Sequence, residues 1–157
     1  MKLHIPALSS RLQSLQWMMA TAESCTGGMI AAHCTDLPGS SSWFERGFVT
    51  YSNEAKSELL GVPAAIIDQH GAVSEPVALA MALGACYRSH AQVSVAVTGI
   101  AGPTGGSADK PVGTVWLAWC IQGIAHAERH LFTGDRGQIR QATTQVALRG
   151  LLQRLPR

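Results

Sequence analysis

The chain has 157 residues, of which 46% are apolar and 14% are charged, and its formal net charge is +2. This length suits one globular domain over residues 1–157, and so large an apolar fraction favours a homodimer or a higher homo-oligomer. No apolar run approaches the roughly 18 residues that cross a bilayer, no signal peptide is recognisable and no dense Lys/Arg stripe is present, so we expect a cytoplasmic protein without membrane or nucleic-acid partners.

Ten secondary-structure elements are predicted from hydrophobic periodicity, caps and turn residues. In chain order they are helix 8–16, strand 17–22, helix 27–34, strand 48–51, helices 52–60 and 74–90, strands 93–98, 112–120 and 124–132, and a last helix after Asp135. Ser52 or Asn53 is the candidate cap of the third helix, and Gln122-Gly123 is the candidate hairpin turn. This order predicts an α/β fold, a single-domain α/β/α sandwich with a mixed central sheet.

The segment from Gly99 to Gly113 contains five glycines and two prolines, which excludes regular structure there. It matches neither a Walker nor a dinucleotide-binding pattern. Long ordered loops are usually functional, and glycines let backbone donors approach an anion or a planar ring. We expect this loop to line a pocket together with Thr98, which ends the preceding strand.

Six of the twelve basic residues are arginines near the C-terminus. Two interpretations stay open for them. They form a solvated helix face, or Arg136 and Arg140 face an anion.

Ser24 lies between a predicted strand and a predicted helix, in the stretch T21-A-E-S-C-T-G-G28. Backbone N–H groups that follow such a serine suit an oxyanion, but Ala22 and Thr26 do not fit the G-x-S-x-G pattern of the α/β-hydrolases. Three roles therefore stay open for Ser24: catalysis, binding of a phosphate or carboxylate, and helix capping. Cys25 competes as a nucleophile, although buried packing suits it better.

The candidate bases are histidines and lysines. The sequence H126-A-E-R-H130 lacks the order of a zinc helix and is typical of the polar face of a strand. Lys56 follows Tyr51 by five positions and not by the four that short-chain dehydrogenases have, so that enzyme class is not predicted. Lys110 completes the pattern S-x-x-K, but it lies in a loop and not at the start of a helix, so we interpret this match as chance. The four cysteines have no zinc-site spacing and are expected to be reduced. We predict neither a metal nor a cofactor.

Five blocks, in order, resemble the C-terminal domain of the CinA (competence/damage-inducible) family. They are T21-A-E-S-C-T-G-G28, the segment from Ser40 to Lys56, G71-A-V-S-E-P76, V97-T-G-I-A-G-P-T-G-G106 and K110-P-V-G-T-V-W116. The likeness extends from about residue 20 to about residue 148. Stand-alone members of this family are nicotinamide-nucleotide amidohydrolases.

The resemblance implies hydrolysis of the carboxamide of nicotinamide mononucleotide, without metal or cofactor, in the salvage of pyridine nucleotides. It implies that Ser24 is the nucleophile, Lys56 its base and Tyr51 a proton shuttle or orienting group. The expected substrate-contacting residues are Cys25, Thr26, Gly27, Gly28, Thr98, Gly99, Gly102, Gly105, Gly106, Arg136 and Arg140. Within this set Thr26, Gly27 and Gly28 would hold the oxyanion, and Arg136 or Arg140 would meet the phosphate. A nucleotide-binding module without turnover is the alternative.

Overall fold

Five strands form one mixed sheet that is covered by helices on both faces. The computed structural model describes residues 4–157. The helices are α1 (Ile5–Leu15), α2 (Met29–Thr35), α3 (Asn53–Leu60), α4 (Ala64–His70), α5 (Glu75–Tyr87) and α6 (Arg136–Arg154). The strands are β1 (Met19–Glu23), β2 (Phe44–Val49), β3 (Val93–Gly99), β4 (Thr114–Ile121) and β5 (Ile124–Leu131). Across this described range, every helix is too short or too polar to span a bilayer.

The strand order is β2-β1-β3-β4-β5. Strand β1 pairs in parallel with both β2 and β3, whereas β4 and β5 continue the sheet in antiparallel fashion. The carboxyl ends of the three parallel strands therefore meet at one edge of the sheet, where open α/β sheets commonly bind ligands. Ser24, Thr50 and Thr98 all lie at this edge.

Each face of the sheet has its own hydrophobic core, and the side chains of β1 alternate between the two. Met19 packs with Leu8, Ile30 and Leu148 on the face covered by α1, α2 and α6. Ala20 and Ala22 pack on the opposite face, which α3, α4 and α5 cover. The predicted α/β/α sandwich with a mixed sheet is confirmed.

Two predicted elements begin at other residues than expected, and one helix of the structure was not predicted. Helix α2 begins at Met29 and not at residue 27, because Gly27 and Gly28 have φ values of 60° and 106° that no α-helix contains. Strand β2 begins four residues earlier than expected. It lies at the exposed edge of the sheet, which tolerates charged residues, and these residues masked the apolar pattern of the strand in the sequence. Helix α4 was not predicted, since its seven residues give too short a pattern.

We expect Gly150→Ala to destabilise the protein, although glycine to alanine within a helix normally stabilises by about 1 kcal/mol. A Cβ at Gly150 would lie 2.4 Å from Cζ2 of Trp119, whose buried ring is fixed by a 2.9 Å hydrogen bond from Nε1 to the Ala147 carbonyl. Overpacking of this kind costs about 1–3 kcal/mol. The loss in the free energy of unfolding is measured by urea unfolding followed by circular dichroism.

The matched control is Gly137→Ala in the exposed first turn of the same helix. Its Cβ would meet only Asp135 Oδ1, at 3.4 Å, so unfolding free energy should stay equal or rise slightly. A gain in stability by both variants would contradict the packing constraint at Trp119.

Candidate active site

A cleft of about 180 Å³ lies at the carboxyl edge of the parallel strands. Seven of the predicted site residues line it, namely Ser24, Cys25, Tyr51, Lys56, Thr98, Gly99 and Arg136. They come from β1, the β2–α3 segment, β3 and the start of α6, so residues far apart in the chain meet at one place. Asn53, Ala72, Val73 and Ala101 complete the lining.

Ser24 and Lys56 are in direct contact inside this cleft. Lys56 Nζ lies 3.0 Å from Ser24 Oγ, and the two side chains are buried, with residue exposures of 1% and 8%. Two hydrogen bonds place the pair: the Ser24 amide donates to the Val97 carbonyl, and Ser52 caps α3 by accepting from the Ala55 amide. The sheet thus fixes the serine, and a capped helix fixes the lysine.

The amine of Lys56 has three oxygen neighbours, two of which can only accept hydrogen bonds. Nζ donates to the carbonyls of Thr50 and Tyr51, each at 3.1 Å, and its third neighbour is the Ser24 hydroxyl. A neutral amine has two N–H donors and one lone pair. As an ammonium, Nζ donates to Ser24 Oγ, and the Ser24 hydroxyl donates to the Tyr51 carbonyl at 3.5 Å. In the neutral form the two carbonyls would match the two donors, and the lone pair would be left to accept the Ser24 proton.

Burial lowers the pKa of Lys56 below its ordinary value, while the nearby Cys25 opposes this shift. Desolvation penalises the ammonium form, so it favours the neutral amine that a general base needs. Cys25 itself behaves differently, because burial raises the pKa of its thiol to about 11. The thiol stays protonated near neutral pH, which agrees with a packing role for Cys25 rather than a nucleophilic one.

The turn between β1 and α2 is organised by the buried carboxylate of Glu23. Its Oε1 accepts from the Thr26 hydroxyl and, at 2.9 Å, from the Ile30 amide, and its Oε2 accepts from the Ala31 amide at 3.0 Å. The first amides of α2 are therefore bonded to protein. They are not available to a ligand.

Three backbone amides at this turn were predicted to hold an oxyanion. The Gly27 amide already donates to the Ser24 carbonyl at 3.1 Å, so it does not point freely into the cleft. The amides of Thr26 and Gly28 have no acceptor within residues 4–157. These two remain candidates, and the positive φ of Gly28 is the backbone feature that requires glycine there.

Arg140 binds this turn and does not line the cleft. Its Nε donates to the Cys25 carbonyl at 3.0 Å and its Nη2 to the Thr26 carbonyl at 3.1 Å. In a planar trans peptide the N–H points away from the C=O, so anchoring the Cys25 carbonyl directs the Thr26 amide away from Arg140. Its position therefore suits holding the turn better than meeting a phosphate.

Arg136 lies at the mouth of the cleft and is exposed. Its Nη1 donates to the Gly102 carbonyl at 2.7 Å and its Nη2 to the Tyr51 hydroxyl at 3.3 Å. Tyr51 is 62% exposed as a residue, and its hydroxyl has no hydrogen bond to Ser24 or Lys56. The backbone carbonyl of Tyr51, not its ring, orients the lysine.

The loop from Gly99 to Gly113 reaches the cleft only at its beginning. The Thr98 hydroxyl donates to the Ala72 carbonyl at 2.9 Å, which links the end of β3 to the segment before α5. Gly105 and Gly106 are exposed and are not brought to the cleft. A Cβ at Gly106 would lie 2.7 Å from the Val112 amide nitrogen, so backbone packing explains that glycine.

Sequence reasoning missed the residues that act through backbone or packing. Glu23 stood next to Ser24 in the first motif, and its acidic character in an apolar strand was the available signal. Ala72 and Val73 stood within the third motif without a side chain that suggests chemistry. The Thr50 and Tyr51 carbonyls carry no sequence signal at all.

Comparison with known proteins supplies a family. The CinA C-terminal domain family matches residues 4–155. A CinA-like protein of Akkermansia muciniphila is 58% identical over 134 residues, which are 85% of this chain and 32% of that protein. The nicotinamide-nucleotide amidohydrolase PncC of Escherichia coli is 54% identical over 136 residues, which are 86% of this chain and 82% of that protein.

Comparison with solved structures points to the same family. The crystal structure of the competence/damage inducible protein CihA from Agrobacterium tumefaciens matches with a TM-score of 0.89 at 47% identity and covers 98% of both chains. The chain spans about a third of the length of the CinA-like relatives it matches and most of the length of the PncC relatives. By both sequence and structure, this chain belongs to the CinA C-terminal domain family.

Proposed function

We propose that this chain is an amidohydrolase that converts nicotinamide mononucleotide into nicotinate mononucleotide and ammonia, with Ser24 as nucleophile and Lys56 as base. The observation that carries the proposal is the 3.0 Å contact between Lys56 Nζ and Ser24 Oγ inside a buried cleft. Relatives named nicotinamide-nucleotide amidohydrolase, about half identical over most of both chains, support the substrate.

The reaction divides into two displacements at the carboxamide carbon. Ser24 Oγ attacks that carbon while its proton passes to Lys56 Nζ, and the resulting oxyanion accepts from the Thr26 and Gly28 amides. Collapse breaks the C–N bond, and Lys56 returns the proton to the departing nitrogen as ammonia leaves. Water then attacks the Ser24 ester with Lys56 again accepting a proton, which frees the carboxylate and restores the hydroxyl.

The size of the cleft decides how much of the substrate it encloses. Small-molecule sites usually measure about 300–1,000 Å³. A cleft of about 180 Å³ therefore suits the pyridine ring with its carboxamide and leaves the ribose phosphate at the mouth. Arg136 is the cation at that mouth, and we propose it as the phosphate contact. The homo-oligomer expected from composition stays a prediction.

The proposal is tested by ammonia release from nicotinamide mononucleotide, with nicotinate mononucleotide identified by chromatography. We expect turnover without an added metal or cofactor, and a higher kcat/KM for the mononucleotide than for nicotinamide riboside, which lacks the phosphate that Arg136 would meet. Binding of the mononucleotide without any ammonia release would instead show that this chain is a nucleotide-binding module without turnover. Equal kcat/KM for both compounds would remove the phosphate contact from the proposal.

A further inference from the structure

Arg140 connects helix α6 to the turn that follows Ser24, although the two are more than 100 positions apart in the chain. Its Nε donates to the Cys25 carbonyl at 3.0 Å, and its Nη2 donates to the Thr26 carbonyl at 3.1 Å. The preceding residue of α6, Ile139, is buried in the core, which fixes the helix at this point. Arg140 therefore holds the turn from a packed helix, and it does so without lining the cleft.

The two carbonyls that bind Arg140 belong to successive residues and face the same cation. Parallel alignment of successive peptide groups is a property of helical backbone. Because N–H and C=O point in opposite directions in a trans peptide, the amides of Thr26 and Gly27 both point away from Arg140. The Gly27 amide donates to the Ser24 carbonyl at 3.1 Å. The Thr26 amide, which has no acceptor within residues 4–157, is therefore directed to the same side of the turn.

The charge of Arg140 also acts on the Thr26 amide. The carbonyl of Cys25 and the amide of Thr26 belong to one peptide group, and hydrogen bonds that share a group polarise one another. A cation bound to the oxygen makes the N–H a stronger donor. The nearby carboxylate of Glu23 does not take up this amide, because its backbone partners are the amides of Ile30 and Ala31. The turn therefore retains one free and polarised donor.

We propose that Arg140 is a positioning residue for the oxyanion: it orients the Thr26 amide towards the carboxamide oxygen of the substrate and strengthens it as a donor. This inference rests on the proposed amidase function of the same site. Arg140 does not touch the substrate, so its effect arises where negative charge develops on that oxygen, in the transition state, and it lies in kcat. Arg136, one turn earlier in α6, is instead the residue proposed to contact the phosphate.

The experiment measures ammonia release from nicotinamide mononucleotide and from nicotinamide riboside by wild type and by Arg140→Ala. We expect the variant to lower kcat by about 10²-fold for both compounds, as the loss of an oxyanion donor does, and to leave KM within about threefold. Guanidinium chloride at about 50 mM, far below the molar concentrations that unfold proteins, should raise the kcat of the variant by at least about fivefold. The free cation can bind the two carbonyls in place of the side chain, whereas sodium chloride cannot.

Two further variants separate the guanidinium group from its charge and from its helix. Arg140→Lys keeps the charge but has no planar fork for two carbonyls, so its kcat should stay at least about tenfold below wild type. Arg154→Ala is the matched control in the same helix, because its guanidinium lies over the ring of Trp119 and binds Glu128 at 2.7 Å, away from the cleft. This control should keep kcat within about twofold of wild type, with or without guanidinium.

Several results would overturn the inference while wild-type protein releases ammonia. They are a kcat in Arg140→Ala within about twofold of wild type, a loss of kcat that guanidinium does not reverse, and a rise in KM for the mononucleotide alone, which would assign Arg140 to the phosphate. If Arg140→Ala does not fold, a wild-type kcat in Arg140→Lys has the same consequence. Wild-type protein that releases no ammonia would reject the amidase function, and this inference with it.

Discussion

Ser24→Ala is expected to lower kcat for ammonia release from nicotinamide mononucleotide by about 10⁴-fold or more. The substitution removes the oxygen that would form the ester, and Cys25 next to it cannot substitute because burial keeps its thiol protonated. The loss should lie in kcat. Binding of the nucleotide should change by less than about tenfold, since the Arg136 contact and the cleft walls remain, and isothermal titration calorimetry measures this.

The matched control is Ser94→Ala, which removes another buried serine whose hydroxyl donates to a carbonyl, in this case that of Ala82 at 2.7 Å. Its activity should stay within about twofold of wild type, because it lies at the opposite end of β3. Mass spectrometry of wild-type protein quenched during turnover should also find the ester of nicotinate mononucleotide, with its ribose phosphate, on the peptide that contains Ser24. Equal rates in Ser24→Ala and wild type would remove this serine from the mechanism.

Regular elements of the fold are well predicted from the sequence, because their signals are local. The alternating run of β3, the Gln122-Gly123 hairpin and the Asp135 cap all depend on residues within a few positions of each other, and each is confirmed. Helix α2 was misplaced by two residues because its glycines at positions 27 and 28 form a turn with positive φ. A glycine pair fits both the start of a helix and the turn before it.

The candidate site is harder to predict, because its geometry depends on long-range contacts. The resemblance placed Ser24 and Lys56 in one mechanism, but nothing local to either residue shows that they touch. Their contact follows from the parallel pairing of β1 with β2, which brings the end of one strand beside the start of α3. The different positions of Arg136 and Arg140 have the same origin. One turn of α6 separates an arginine at the cleft mouth from one bound to the turn that follows Ser24.

Removal of the proposed base should give the second large effect. We expect Lys56→Met to lower kcat by about 10³-fold, within the range of about 10²- to 10⁴-fold that general-base groups contribute. Methionine has nearly the length of lysine and no lone pair that accepts a proton from Ser24. It also leaves the Thr50 and Tyr51 carbonyls without their donor, so circular dichroism and Tm should be recorded to show that the variant is folded.

The pH dependence separates a base from a merely structural lysine. Burial lowers the pKa of Lys56, but a proton still binds the amine below that pKa and occupies the lone pair. In wild-type protein kcat/KM should therefore fall as the pH decreases and rise to a plateau above the pKa, over a series from about pH 5 to about pH 9. In Lys56→Met the residual activity should lose this acidic limb.

Lys110→Met is the matched lysine control, because its Nζ donates to the His70 carbonyl at 2.7 Å outside the cleft. This variant should keep both the rate, within about twofold, and the acidic limb of the profile. A flat profile in wild-type protein, or an acidic limb that survives in Lys56→Met, would mean that another group takes the proton from Ser24. The short contact between the amine and the hydroxyl would then serve to position the serine and not to activate it.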